Sequence, residues 1–152
     1  MTIFSYLRAV LISEFWTLTD LNEWIVNVLT ASNKYHYELY DLLYVKDFEK
    51  VMETLSHLAA LEDYTKYNEI SIPYVVLGYY YWRYILGQIE LRKCVILCGE
   101  YADQVGTNLD CSEFYSLIKE IDDSVVKDNM RVLCEDLFVE AKRQYKLIHE
   151  FC

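Results

Sequence analysis

The side chains with the most chemical potential in this chain are three histidines, five cysteines, a group of neighbouring carboxylates and a run of tyrosines. Glu53 and His57 lie four residues apart, so on a helix they share a face and could offer a carboxylate and an imidazole to one metal ion. A dinuclear helical centre needs two Glu-x-x-His motifs and two further glutamates. That spacing does not occur, and His36 and His149 stand elsewhere, so Glu53 and His57 read as a surface pair and no metal is expected. Cys94 and Cys98 are also four apart, and Cys111 would complete a thiolate site. Their neighbours Val95, Ile96 and Leu97 are apolar, a setting that raises a thiol pKa and leaves it inert, so they read as core residues. Glu120, Asp122 and Asp123 lack the alternating acids, glycine and closing glutamate of a calcium loop. They read as a solvated turn, with a partner-facing acidic patch as the alternative. Tyr79, Tyr80, Tyr81, Trp82 and Tyr84 suggest platforms for stacking bases or sugars. At helical spacing they point around the whole helix, so most belong to the core, and any that reach the surface are good interface anchors.

Several catalytic signatures are missing. There is no G-x-x-x-x-G-K-S/T or G-x-G-x-x-G loop to cradle phosphate, no G-x-S-x-G and no H-E-x-x-H. No catalytic residue and no cofactor is expected, and the chain reads as a binding protein rather than an enzyme.

Charge points the same way. Fourteen Lys and Arg stand against 24 Asp and Glu, a net charge of −10. Such a chain is repelled by phosphate backbones and anionic lipid, which disfavours nucleic acid and membrane as direct partners and favours a basic protein. Acidity also serves solubility alone. Along the sequence the acids cluster: residues 99–140 hold eleven acids and three bases, leaving 13 acids and 11 bases elsewhere. Glu100, Asp103, Asp110, Glu113, Glu120, Asp122, Asp123 and Asp128 are therefore the candidate partner-binding residues. Lys142, Arg143 and Lys146 reverse the sign afterwards, where cations suit the last turns of a helix.

The elements that must position these residues read as helices. With 152 residues, 54% apolar and 25% charged, the chain suits one globular domain with a real core. Four glycines and one proline are too few for the turns of an all-β fold. Apolar periodicity predicts helices over about 3–16, 20–31 with Thr19 as cap, 35–44, 48–61 capped by Asp47, 72–87, 89–104 stopped near Gly106, 112–121 and 126–150. Ser32, Asn33 and Lys34 make a turn, Glu62 to Ser71 form the longest connection, and residues 107–111 a loop. In the fourth helix Phe48, Val51, Met52, Leu55, Leu58 and Leu61 form one face. Ser71 and Pro73 open the 72–87 helix, which is apolar or aromatic on every side and is expected to be buried all round. Leu77, Gly78 and Tyr81 match the first helix of a tetratricopeptide unit, but Glu90 falls where a small alanine belongs, so a generic helical hairpin is the better reading. The fold expected is all-α, a compact single-domain bundle of seven or eight helices, with hairpins packed round that central helix.

The odd number of cysteines, without a C-x-x-C pair, fits a reducing compartment. Arg8 interrupts the apolar N-terminus, Glu14 follows and no small-x-small site appears, so no signal peptide is expected. The longest uncharged apolar run, Tyr74 to Trp82, is too short to span a bilayer. A cytoplasmic location follows as an expectation.

Leu21-Asn22-Glu23-Trp24-Ile25 and Tyr37-Glu38-Leu39-Tyr40-Asp41-Leu42 are similar to stretches in short bacterial helical domains found beside toxins. Leu77-Gly78-Tyr79-Tyr80-Tyr81-Trp82 resembles the central helix of some all-α immunity families. Together they make the chain look like an immunity protein of a bacterial contact-dependent inhibition or polymorphic toxin system. The resemblance implies tight binding to a cognate toxin domain, often over its active site, and many such toxins are nucleases with basic clefts. The alternative reading is a helical adaptor or self-associating scaffold.

Overall fold

Capping chemistry sets where the helices begin. Thr17 and Asp20 form a reciprocal box: the Asp20 carboxylate accepts from the Thr17 amide at 2.7 Å, and the Thr17 hydroxyl accepts from the Asp20 amide at 3.3 Å. The Leu21 amide donates to the Thr17 carbonyl, the first bond of the helix. The cap is thus Thr17 and not Thr19, because only Thr17 has a carboxylate three residues on to close the box. Asp47 caps as expected, accepting from the amides of Glu49 and Lys50.

The computed structural model describes residues 3–31, 37–61, 72–104 and 110–151. Tyr35, His36, Ser71, Gly106, Cys152, the 32–34 turn, the 62–71 connection and residues 107–109 of the expected loop lie outside them. The protein is all-α: the described residues form eight helices and no strand. These are α1 (Ile3–Ile12), α2 (Leu18–Ala31), α3 (Tyr37–Tyr40), α4 (Phe48–Leu61), α5 (Ile72–Ile85), α6 (Leu91–Gln104), α7 (Cys111–Lys119) and α8 (Asp123–Glu150). The chain divides into two compact units, one of Met1–Glu69 with Gln144–Cys152, the other of Ile70–Arg143.

In the first unit α1 packs on α4. The α1 helix stops four residues short of its expected end. Ser13 turns its hydroxyl back onto the Val10 carbonyl at 3.0 Å, Glu14 takes a left-handed φ of 54°, and the amides of Phe15 and Trp16 both donate to Val10. The face Leu21, Trp24, Ile25 and Val28 of α2 is buried. The Trp24 indole N–H donates to the Ile148 carbonyl at 2.9 Å, and its ring stacks on Phe151. Trp16 meets Tyr145 and His149 edge-on. In α4, Val51, Leu55 and Leu58 are buried, but Phe48 and Leu61, at its two ends, are exposed.

In the second unit Pro73 sits in the first turn of α5, where its missing N–H leaves no bond unmade. Every residue from Val75 to Tyr81 is buried, so burial on all sides holds only for the middle turns, and Ile72, Pro73 and Tyr74 before them are half-buried. Trp82, Arg83 and Tyr84 are half-buried, Ile85 and Leu86 exposed. The helix ends in a Schellman motif: Gln88 N–H donates to the Arg83 carbonyl, and Gly87 has φ 73°. Gly78 allows α5 to approach α8 closely, since a Cβ there would stand 2.1 Å from the Leu137 carbonyl oxygen. Phe138 of α8 packs edge-on against both Tyr81 and Trp82. Cys94 and Cys98 of α6 and Cys134 of α8 are free and buried, and burial first, then the neighbouring thiols, pushes the Cys98 thiol well up. The tyrosines Tyr79, Tyr80 and Tyr81 are core, as their spacing predicts. No helix among the described residues is long and apolar enough to cross a membrane.

Candidate functional site

The eight predicted carboxylates all belong to the second unit, but they do not form one patch. At the junction of α6 and α7, Asp103 accepts from the Tyr115 hydroxyl at 3.0 Å and lies 3.8 Å from the Cys111 sulfur. That bond raises the Tyr115 pKa, while desolvation and the same carboxylate hold the Cys111 thiol up. Asp110 is the N-cap of α7, accepting from the Ser112 hydroxyl and, at 2.9 Å, from its amide. These bonds hold the Asp110 carboxyl below the usual range. Glu100 is exposed one turn before Asp103.

The second group gathers round Arg92. Its guanidinium meets Asp123 at 2.7 Å and donates to the carbonyls of Leu117, Glu120 and Ile121. One side chain thereby satisfies the carbonyls that end α7, as a cation at a helix C-terminus does well. The Glu120 carboxylate accepts from the amides of Ile121 and Asp122. Asp122 caps α8 through the Ser124 hydroxyl and amide, which lower its pKa. The nine residues of α7 put roughly 13 Å between the two groups.

Five of the eight acids, then, have local structural work. Glu100, Glu113 and Asp128 have no hydrogen bond or ion pair described, and all three are exposed. Glu113 lines a groove of about 450 Å³ between α7 and α8, together with Ser116, Leu117, Asn129, Val132 and Leu133. Counted by unit, charge is less concentrated than along the sequence. The second unit has 12 acids against 8 bases and the first 12 against 6, net −4 and −6. Arg83, Arg92, Lys93, Lys142 and Arg143 fall outside the acidic segment but inside the same unit.

Two surface features escaped the sequence reading. Ile118 of α7 is exposed, as are Val125, Val132 and Val139. The three valines recur every seven residues and so share one face of α8, flanked by Asp128, Glu135 and Asp136. In the first unit Tyr37, Tyr40 and Tyr44 are exposed, while Leu39 and Leu42 between them are buried. Tyr37 and Tyr40, three residues apart on α3, share an outer face, whereas Tyr44 lies beyond the helix. Tyr44 lines a cleft of about 520 Å³ with Thr19, Asn22, Glu23, Val26 and Asn27.

Elsewhere, Glu53 and His57 are both exposed on α4. No group of three or more His, Cys, Asp or Glu side chains is arranged to hold a metal among the described residues. No family model matches the chain, and no curated protein or solved structure gives a significant match.

Proposed function

We propose that this chain is an immunity protein that binds and neutralises a cognate basic toxin domain, of the nuclease class, in the bacterial cytoplasm. The observation that carries this reading is the set of exposed carboxylates with no described partner, Glu100, Glu113 and Asp128, on a chain of net charge −10. A carboxylate already engaged in a cap or ion pair has little left to offer a partner, whereas these three keep their full acceptor capacity. Their field steers a cationic surface and raises its on-rate. The exposed Tyr37, Tyr40 and Tyr44 add aromatic anchors of the kind enriched at interface hot spots. Binding, not catalysis, is the activity assigned.

Co-expression with the toxin domain encoded beside the gene tests the reading. Growth arrest should be relieved, and the purified pair should co-elute. A toxin that still arrests growth refutes it. Reversing charge at Glu113 and Asp128 to Lys should slow association about tenfold at low salt and leave folding intact. An unchanged on-rate would mean these acids are only solvated.

The exposed Val125, Val132 and Val139 favour a second reading, a self-associating helical scaffold. It ranks lower because a second copy, parallel or antiparallel, would set Asp128, Glu135 and Asp136 against one another, and like charges across an interface repel. A concentration-independent monomer in sedimentation removes it.

A further inference from the structure

We propose that the cleft between α2 and the turn after α3 is a binding site for a guanidinium side chain, an arginine carried by a partner protein. The inference deepens the binding reading above and rests on it.

The case begins with backbone conformation. Tyr44 has φ 63°, a left-handed geometry that is a genuine outlier for a bulky side chain. It follows α3 at the stop position: Leu43 N–H donates to the Tyr40 carbonyl and Val45 N–H to that of Leu42. Glycine or asparagine usually fills such a stop because neither meets much steric penalty there. Burial of the ring is not what offsets the strain, since Tyr44 is 71% exposed. What fixes the geometry is a bond from the Tyr44 amide to the Asn22 side-chain oxygen at 2.8 Å, which ties the turn to α2. The result is an aromatic ring held at the mouth of the cleft by a conformation that glycine would satisfy better. Strain of this kind concentrates where a side chain has a binding role.

The chemistry of the walls selects the ligand. Glu23 brings a carboxylate for which no hydrogen bond or ion pair is described. Thr19 and Asn27 bring oxygen acceptors, and Val26 an apolar wall. A guanidinium can stack flat on the tyrosine ring while its fork of N–H groups engages the carboxylate. An ammonium is a point charge without that planar face. Along the sequence the same segment is acidic: between residues 18 and 47, Asp20, Glu23, Glu38, Asp41 and Asp47 stand against Lys34 and Lys46.

The test is a titration of the full chain with N-acetyl-arginine amide and, separately, N-acetyl-lysine amide, followed by amide chemical shifts. Saturable shifts are expected at Asn22, Glu23, Asn27 and Tyr44, with arginine binding about threefold or more tighter than lysine. Tyr44→Phe should bind as wild type, and Glu23→Gln should bind about fivefold more weakly. Tyr44→Gly is the decisive variant. It should lose binding while its melting temperature rises by about 2–4 °C, since the strain is relieved. Three results overturn the proposal: non-saturating shifts spread over carboxylates throughout the chain, Tyr44→Gly binding like wild type, or a fall in its melting temperature. Protection against the toxin separates this inference from the immunity reading. Rescue of growth by wild type but not by Tyr44→Gly supports the site. Equal rescue by both overturns the site and leaves immunity standing. Failure of wild type to rescue removes the immunity reading, and the arginine titration then decides the site alone.

Discussion

Replacing Gly78 by alanine should destabilise the protein although alanine is the better helix former. In the interior of α5 the exchange gains about 1 kcal/mol in intrinsic propensity. The added Cβ, however, would lie 2.1 Å from the Leu137 carbonyl oxygen, 2.5 Å from its carbon and 3.0 Å from the Phe138 nitrogen. Ordinary contact begins near 3.4 Å, so α5 and α8 must separate by roughly 1.3 Å, and the obstacle is helical backbone that no rotamer change can move. Overpacking in a well-packed core costs about 1–3 kcal/mol, and a backbone obstacle places this site at the upper end. The net expectation is a loss of about 2 kcal/mol, or a fall in melting temperature of about 4–8 °C for a chain of this length. Urea unfolding followed by far-UV circular dichroism measures it, with a lower midpoint and an unchanged m value. Gly99→Ala is the matched control. There the new Cβ meets the Tyr115 ring at 3.1 Å, which can turn aside, and the Phe114 Cβ at 3.2 Å, which need give only a few tenths of an ångström with its backbone, so the change should stay within about 1 kcal/mol. A Gly78→Ala variant as stable as wild type would refute the close approach of the two helices.

Three further outcomes are expected. Arg92→Ala should cost about 1–2 kcal/mol, because the Glu120 and Ile121 carbonyls and the Asp123 carboxylate lose the guanidinium, although the Leu117 carbonyl keeps the Glu120 amide; Arg92→Lys should recover little, as one ammonium cannot reproduce the fork, and equal thermal stability of Arg92→Lys and wild type would contradict this. Asp110 and Asp122 are held below their ordinary value of 3.8 by Ser112 and Ser124. Their folded pKa values are depressed, so their contribution is complete above the unfolded value and is lost as pH falls through the folded one. Melting temperature should therefore drop below about pH 4, and a Ser112→Ala, Ser124→Ala double variant should show a shallower drop; an identical acid limb would mean that these caps contribute nothing. In a Cys111→Ser, Cys152→Ser background a thiol-specific reagent should leave Cys94, Cys98 and Cys134 untouched until the protein unfolds, since all three are buried; prompt native-state labelling of any of them would contradict that burial.

Element type was legible wherever apolar periodicity ran for three turns or more. The α4 helix occupies 48–61 as read, because Asp47 before it is a strong cap and the Val51, Leu55, Leu58 stripe is unambiguous. Boundaries failed where a local hydrogen bond outweighed periodicity. Phe15 continues the apolar pattern of α1, but Ser13 competes for the Val10 carbonyl and ends the helix before it. The third helix, read as 35–44, is regular only over Tyr37–Tyr40 in the described residues, since a short segment of exposed tyrosines buries too little to sustain it. The candidate acids were legible as charge and only in part as geometry. Asp110 and Asp122 each stand two residues before a serine at a helix start, a local capping pattern that the sequence does carry, whereas nothing in the spacing commits Asp103 to the Tyr115 hydroxyl, because that bond depends on how α6 and α7 meet. The strained Tyr44 left no sequence signal beyond an aromatic residue where a helix stop would favour glycine.

The division of the chain has a consequence for biosynthesis. The Ile70–Arg143 unit is continuous, whereas the unit that opens the sequence also needs Gln144–Cys152. Until residues 144–151 have been made and released, Trp24 lacks both the Ile148 carbonyl and the Phe151 ring that it packs against. The unit that comes first along the sequence is therefore completed only by residues that follow the whole of the other, and a chain cut after Arg143 would leave Trp24 with both indole partners missing.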